Sequence, residues 1–127
     1  MKTNQEILDS FGLYIIKIND RQFKYTKFPI EDLCKDKNYK ELFMSMTSKQ
    51  KEQLELLMAS TIQGTIFDFL KFFEEQVIEE TGRFKLIYEE DGKQVDLVEI
   101  SEMLKAEMMG DTGWIKRFSK YPDSGVF

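Results

Sequence analysis

The chain has 127 residues, of which 42% are hydrophobic and 32% charged, and its formal net charge is −5. These values are typical of one domain with a hydrophobic core, and they argue against a disordered chain. The chain contains no histidine. This absence excludes Ser-His-Asp and Cys-His nucleophiles, and it excludes the zinc and iron sites that need imidazole ligands.

The first 28 residues allow two interpretations. In one, a short helix ends at Gly12 and is followed by two strands, 13–18 and 22–28, with a turn at Asn19-Asp20. The strand interpretation rests on the β-branched residues of the first segment and on the polar-apolar alternation of the second. The alternative is one continuous N-terminal helix that runs to Ile18.

A long helix is predicted from about residue 49 to residue 80, because apolar residues recur there at steps of three and four. Thr47 or Ser48 can cap its start, and Gly64 weakens its middle by roughly 1 kcal/mol relative to alanine. The segment 66–73 is apolar on almost all sides, which predicts a central helix with other elements packed on several faces. A plain core is the favoured interpretation, and a cavity for a small apolar ligand beside this helix is the alternative.

A β-hairpin is the clearest local motif. Asp91-Gly92 is a preferred pair for a type I′ turn, and it joins two segments of strand composition, 83–90 and 93–98. With a two-residue loop, Glu90 faces Lys93 across the strands, and this pair is electrostatically compatible.

Shorter elements are expected towards the C-terminus. Ser101 can cap a helix over 102–109, and a last helix from Trp114 to Tyr121 presents an aromatic stripe to the core. Residues 122–127 are expected to form a loose tail. The sequence therefore predicts one α+β domain over residues 1–127, with a long central helix, one or two β-hairpins forming an antiparallel sheet, and short C-terminal helices.

The cellular compartment is predicted from weaker signals. Cys34 is the only cysteine, so the fold cannot depend on an intramolecular disulfide. Residues 1–10 lack the profile of a secretory signal, and we expect no apolar run long enough to span a membrane. A cytoplasmic protein with a passive thiol is the resulting expectation, because no histidine can act as the base for Cys34.

Charge is distributed unevenly along the chain. Residues 1–64 carry 10 basic and 9 acidic side chains, whereas residues 65–127 carry 8 basic and 14 acidic ones. An acidic half favours a basic protein partner and repels nucleic acid, although many soluble domains are acidic for solubility alone. The candidate partner-binding carboxylates are Glu74, Glu75, Glu79, Glu80, Glu89, Glu90 and Asp91.

Other chemistries find little support in the sequence. No EF-hand loop, P-loop or dinucleotide fingerprint is present, so we predict neither a metal site nor a cofactor. The basic residues around Trp114 accompany aromatic residues at core-facing helical spacing, so we do not predict nucleic-acid binding there.

These observations favour a non-catalytic protein-binding domain. Among such domains, a small acidic bacterial immunity or inhibitor protein that neutralises a basic toxin or nuclease fits best. A small-molecule-binding or metal-binding domain, including a carboxylate-dependent enzyme, is the alternative, because the spacing of paired carboxylates is spatial and cannot be read along a chain. An oligomeric component that associates through exposed Trp114 and Phe118 is a third interpretation.

Overall fold

A computed structural model describes residues 1–76 and 82–126 of the protein. Two long helices are its main elements. They are α1 (Asn4–Lys27) and α4 (Ser48–Glu74), and the end of α1 lies beside the start of α4, where Lys27 pairs with Glu55 at 3.0 Å. A capping box begins each helix, formed by Thr3 with Glu6 and by Thr47 with Gln50.

The remaining elements are short. Two helices, α2 (Ile30–Leu33) and α3 (Lys40–Met44), occupy the connection between α1 and α4. After α4 come a two-stranded antiparallel sheet and the C-terminal helices, so the fold is a single α+β domain with one hairpin in its described part. The later elements are β1 (Ile87–Glu90), β2 (Lys93–Asp96), α5 (Leu97–Ile100), a 3₁₀ turn at Leu104–Ala106, α6 (Trp114–Phe118) and a 3₁₀ turn at Pro122–Ser124.

The hairpin predicted for residues 13–28 is wrong, because residues 13–27 belong to the continuous helix α1 and Phe28 is its C-cap. The buried positions of α1 recur at helical steps, and they pack against α4 and α6, which outweighs the strand propensity of the β-branched residues. Asn19 and Asp20 do not form a turn; both are buried inside the helix. The helix continues past Ile18 and ends before Pro29, which cannot donate a backbone hydrogen bond.

The C-terminal hairpin is confirmed, with Glu90 opposite Lys93 and Tyr88 opposite Val95. Asp91 and Gly92 have φ values of 51° and 79°, as a type I′ turn requires.

Both strands are shorter than predicted. The second strand ends at Asp96 because this side chain accepts a hydrogen bond from the amide of Val98 at 3.0 Å and starts α5. The helix predicted over 102–109 is also wrong, since this segment holds only the 3₁₀ turn.

The core is centred on Trp114, which is completely buried. Its indole lies directly on α1 at Gly12, where a Cβ atom would come within 2.4 Å of the ring. This glycine therefore lies inside a helix instead of ending one. The expected core-facing role of α6 is confirmed, although α6 stops at Phe118 and does not reach Tyr121. The buried core residues are Ile7, Leu8, Ile16, Leu70, Leu97, Leu104, Met108, Trp114 and Ile115.

Two glutamine side chains, Gln63 of α4 and Gln76 just after it, form hydrogen bonds with the backbone of other segments. Buried Gln63 donates to the carbonyl of Ser124 and accepts from the amide of Val126, both at 3.0 Å. Gln76, just after α4, binds the amide and the carbonyl of Phe84 at 2.8 and 2.7 Å. Residues 122–126, expected as part of a loose tail, are thereby attached to α4.

The helix α4 is less enclosed than its composition predicts. Only Ala59, Gln63 and Leu70 are buried along its length, whereas Phe69 and Phe72 are about half exposed. The prediction of a helix packed on several faces is therefore wrong. The helix is also long and apolar enough to cross a membrane, and 22% of its apolar window is buried. The expectation that no such run exists is wrong on these criteria, which core helices of soluble proteins also satisfy.

The two glycines inside the long helices provide a test of the packing. A Cβ atom at Gly12 collides with Trp114, whereas one at Gly64 meets nothing within 4 Å. We expect Gly12→Ala to lower the free energy of unfolding by about 1–3 kcal/mol because the core is overpacked. Gly64→Ala should raise it by about 0.5–1 kcal/mol because alanine favours the helix. Urea unfolding of the two variants measures both effects, and a loss of stability in Gly64→Ala would contradict this packing.

Candidate functional site

Two of the predicted acidic residues, Glu74 and Glu75, form polar contacts within the fold. Glu74 accepts a hydrogen bond from the backbone amide of Lys105, and Glu75 forms an ion pair with the ammonium group of the same lysine. A second lysine, Lys71, lies 3.6 Å from Glu75. The hydrogen bond from Lys105 holds the pKa of Glu75 below its ordinary value. These two carboxylates attach the 3₁₀ turn of residues 104–106 to the end of α4.

The hairpin carries the carboxylates that face solvent. Glu89 is exposed and, within the described residues, accepts a hydrogen bond from the side-chain amide of Gln94 at 3.1 Å; Asp91 is exposed at the turn. Glu90 is partly buried; it accepts a hydrogen bond from Tyr88 at 3.0 Å and lies 3.9 Å from the N-terminal amino group. Among the described residues, no lysine or arginine pairs with any of these three carboxylates. Glu79 and Glu80 lie outside the described residues.

Aromatic side chains form a partly exposed cluster beside the hairpin. The rings of Phe69 and Phe73 are 5.2 Å apart, those of Phe72 and Phe73 are 5.4 Å apart, and Phe84 lies 5.8 Å from Phe72. Phe69, Phe72 and Phe84 are 50%, 47% and 65% exposed. We call these four residues the phenylalanine cluster. Contiguous exposed apolar patches are a feature of protein interaction sites.

A carboxylate borders this cluster on α4. Asp68 is exposed and lies one turn before Phe72, so their side chains are neighbours on the helix surface. The chain from Phe84 leads directly into β1 and thus to Glu89. An apolar centre with charged groups at its edge is the usual anatomy of a protein interface.

A separate cleft of about 500 Å³ opens at the other end of the two long helices. Its apolar walls come from α1, from the first half of α4 and from the segment after α6. The ring of Tyr121 meets Phe23 edge to face at a centroid distance of 5.4 Å. The lining residues that carry this apolar surface are Phe23, Leu56, Ala59, Tyr121 and Pro122.

Charged side chains also line this cleft. Glu55 accepts hydrogen bonds from Lys27 at 3.0 Å and from Lys51 at 2.8 Å. Burial opposes the ionisation of Glu55, but the two lysines outweigh that effect and keep its pKa below the ordinary value. The ammonium group of Lys27 also lies 5.0 Å from the ring centre of Phe23. Glu52 and Lys120 are exposed at the rim.

A buried carboxylate fixes the wall that contains Tyr121. Asp20 is 9% exposed and accepts hydrogen bonds from the hydroxyl of Ser119 at 2.6 Å and from the amide of Lys120 at 2.7 Å. Asn19 donates a further bond to Asp20 at 3.1 Å. The bonds from Ser119 and Lys120 to Asp20 join residues about 100 positions apart in the sequence, so local patterns could not have revealed the cleft. The cavity that the sequence allows beside segment 66–73 is a different location, because none of those residues lines this cleft.

Metal-binding geometry is not found in the described part of the chain. Within residues 1–76 and 82–126, no three aspartate, glutamate or cysteine side chains converge in a way that could hold an ion.

Comparison with known proteins finds no matching family, no matching curated protein and no matching solved structure. Two surfaces described above therefore provide the evidence for a function: the phenylalanine cluster with its carboxylates, and the cleft.

The ion pairs of Glu55 predict an acid-dependent loss of stability. Because the pKa of Glu55 is lowered in the folded state, its contribution is present above the pKa of the unfolded chain and is lost as the pH falls below it. We expect wild type to lose up to about 1 kcal/mol more than Glu55→Gln between pH 6 and pH 3. Urea unfolding at the two pH values measures this difference. Glu41→Gln, at an exposed position, is the control, and an equal loss in Glu55→Gln and wild type would contradict the assignment.

Proposed function

We propose that this protein is a non-catalytic binding domain that engages a basic protein partner through the phenylalanine cluster and the carboxylates beside it. The observation that carries the proposal is that three phenylalanines are between 47% and 65% exposed in a fold that buries Trp114 completely. A partner that covers these rings would remove them from water, which is the main favourable term in protein association.

The charge of exposed residues on α4 and on the hairpin that follows Phe84 supports a basic partner. Asp68, Glu89 and Asp91 are exposed, and no basic side chain of the described part of the protein neutralises them. Charges at the edge of an interface mainly accelerate encounter and exclude partners of the same sign. Lysine and arginine residues on a toxin or nuclease would supply the complementary charge. Inhibition of such an enzyme by a small acidic immunity protein is the specific role that we infer.

Contacts within the fold favour some of the acidic residues over others for this role. Glu74 and Glu75 are bound to Lys105, so their replacement would disturb the attachment of residues 104–106 as well as any partner. Within the described residues, neither Glu89 nor Asp91 forms an ion pair with a lysine or arginine. They are therefore the better residues for a charge test. Glu90 belongs to the same hairpin, but it also accepts a hydrogen bond from Tyr88 within the fold, so its replacement would disturb both the surface and this contact.

The charge test compares two variants with the same change in net charge. Glu89→Lys combined with Asp91→Asn should weaken partner binding about tenfold or more and reduce its dependence on salt, because the steering charges are removed. Asparagine at position 91 preserves the positive φ that the turn requires. Association rates at two ionic strengths, with a partner identified by photo-crosslinking from position 84, measure the effect.

The matched control places the same change elsewhere on the acidic half. Glu102→Lys combined with Glu99→Gln alters the net charge equally at exposed positions outside the proposed surface. The proposal is contradicted if both double variants bind the partner with the same rate and the same salt dependence.

The aromatic surface is tested separately by truncation. Phe84→Ala should weaken partner binding by about tenfold or more, since a partner would bury this ring at the centre of the interface. The side chain is 65% exposed, so the fold should tolerate the change. Tyr14→Ala on α1 is the control, because Tyr14 is 66% exposed and lies outside the cluster. Equal affinities of the two variants, measured by calorimetry, would contradict the claim that the partner binds the phenylalanine cluster.

A further inference from the structure

We infer that the cleft between α1, α4 and residues 120–124 is a second binding site, which takes an apolar group carrying a cationic amine. The cleft lies beside Phe23 and Lys27, near the end of α1, whereas the hairpin contacts the N-terminal residue that precedes α1. About 20 helical residues, or roughly 30 Å, separate the two ends of α1. This inference is therefore independent of the proposed partner surface.

The apolar part of the ligand is indicated by Leu56. This residue lies on the same side of α4 as Ala59 and Gln63, at helical steps of three and seven. Those two residues are 3% and 1% exposed, whereas Leu56 is 63% exposed. The inward face of α4 is thus uncovered only where the cleft opens, and the aromatic wall with Tyr121 lies across from it.

The cleft is built from fixed walls. Asp20 binds Ser119 and the amide of Lys120, and Gln63 binds the carbonyl of Ser124, so both ends of the C-terminal wall are held. Lys51 donates to the carbonyl of Thr26 at 2.9 Å and joins the opposite wall to the start of α4. A volume of about 500 Å³ with apolar walls and a few polar groups fits the range of small-ligand sites.

The charge of the ligand is indicated by Glu52. This carboxylate lies one turn before Leu56, so the two side chains are neighbours on the helix. Glu52 forms no hydrogen bond or ion pair within the described residues, whereas Glu55 is already neutralised by Lys27 and Lys51. A ligand whose apolar group covers Leu56 would place an attached amine beside Glu52.

Lys120 is the opposing charge among the lining residues, because Glu55 is paired with Lys27 and Lys51, and Asp123 lies 3.4 Å from Lys116. Glu52 and Lys120 are thus the two charged lining residues without an ion pair in the described part of the protein. Of these two, Glu52 is the one that lies one turn from Leu56 on the same helix. Removing the charge of Lys120 should therefore strengthen the binding of a cation.

Three probes with the same apolar body test the inference: phenylbutylamine, phenylbutanol and phenylbutyrate. Each is titrated into the full chain while the backbone amide resonances are followed by NMR. The amine should shift the resonances of Phe23, Leu56 and Tyr121 saturably, with an affinity about threefold or more above that of the carboxylate. Failure of the amine to produce saturable shifts at these residues overturns the inference, as does equal affinity for all three probes.

Variants separate the apolar contact from the charge. Leu56→Ser should weaken amine binding about tenfold, since the apolar wall is lost. Leu57→Ser is the matched control, because Leu57 is 62% exposed on the neighbouring side of the same helix. Glu52→Gln should remove the preference for the amine without removing the affinity for the alcohol, and Lys120→Gln should increase that preference. Equal weakening by Leu56→Ser and Leu57→Ser overturns the site.

Two sources could supply this chemistry, a free amine and a phenylalanine-lysine pair in a polypeptide. A blocked peptide with Phe-Lys is therefore titrated beside one with Phe-Glu. Tighter binding of the Phe-Lys peptide than of phenylbutylamine assigns the site to a polypeptide, and the reverse order assigns it to a small molecule; each supports the shared chemistry. Because the hairpin variants leave the cleft intact, failure of the partner surface and failure of the cleft are distinguishable.

Discussion

The contact of Trp114 with Gly12 is the constraint on which the rest of the structure depends. The indole can be completely buried only because α1 has no side chain at this position. This approach brings α6 onto α1, and it places Ser119 where Asp20 can accept its hydrogen bond. The position of the C-terminal segment, and with it one wall of the cleft, thus depends on a missing Cβ atom in the first helix.

The sequence predicts the elements whose cause is local. The Asp91-Gly92 turn, the cap at Thr47 and the helical period of α4 each depend on residues within a few positions of one another, and each is found. The first helix could not be predicted in the same way. Residues 13–28 satisfy a strand pattern, and their helical state is selected by packing against elements that follow much later in the chain.

The candidate surfaces likewise combine features that can be predicted from neighbouring residues with features that depend on contacts between residues far apart in the sequence. The acidic character of the second half is visible in the sequence, but the pairing of Glu74 and Glu75 with Lys105 joins residues about 30 positions apart. Only the fold separates carboxylates that stabilise the protein from Glu89 and Asp91, which face solvent. The exposure of Phe72 was likewise hidden, since an all-apolar helix segment predicts burial.

The glutamine contacts of Gln63 and Gln76 impose a constraint on how this sequence can evolve. Each amide donates and accepts at once to the backbone of a distant segment. Glutamate loses the donor at neutral pH, and asparagine is one methylene shorter, so neither can reproduce both bonds. Descendants of this chain are therefore expected to retain glutamine at both positions, even where the exposed phenylalanines change.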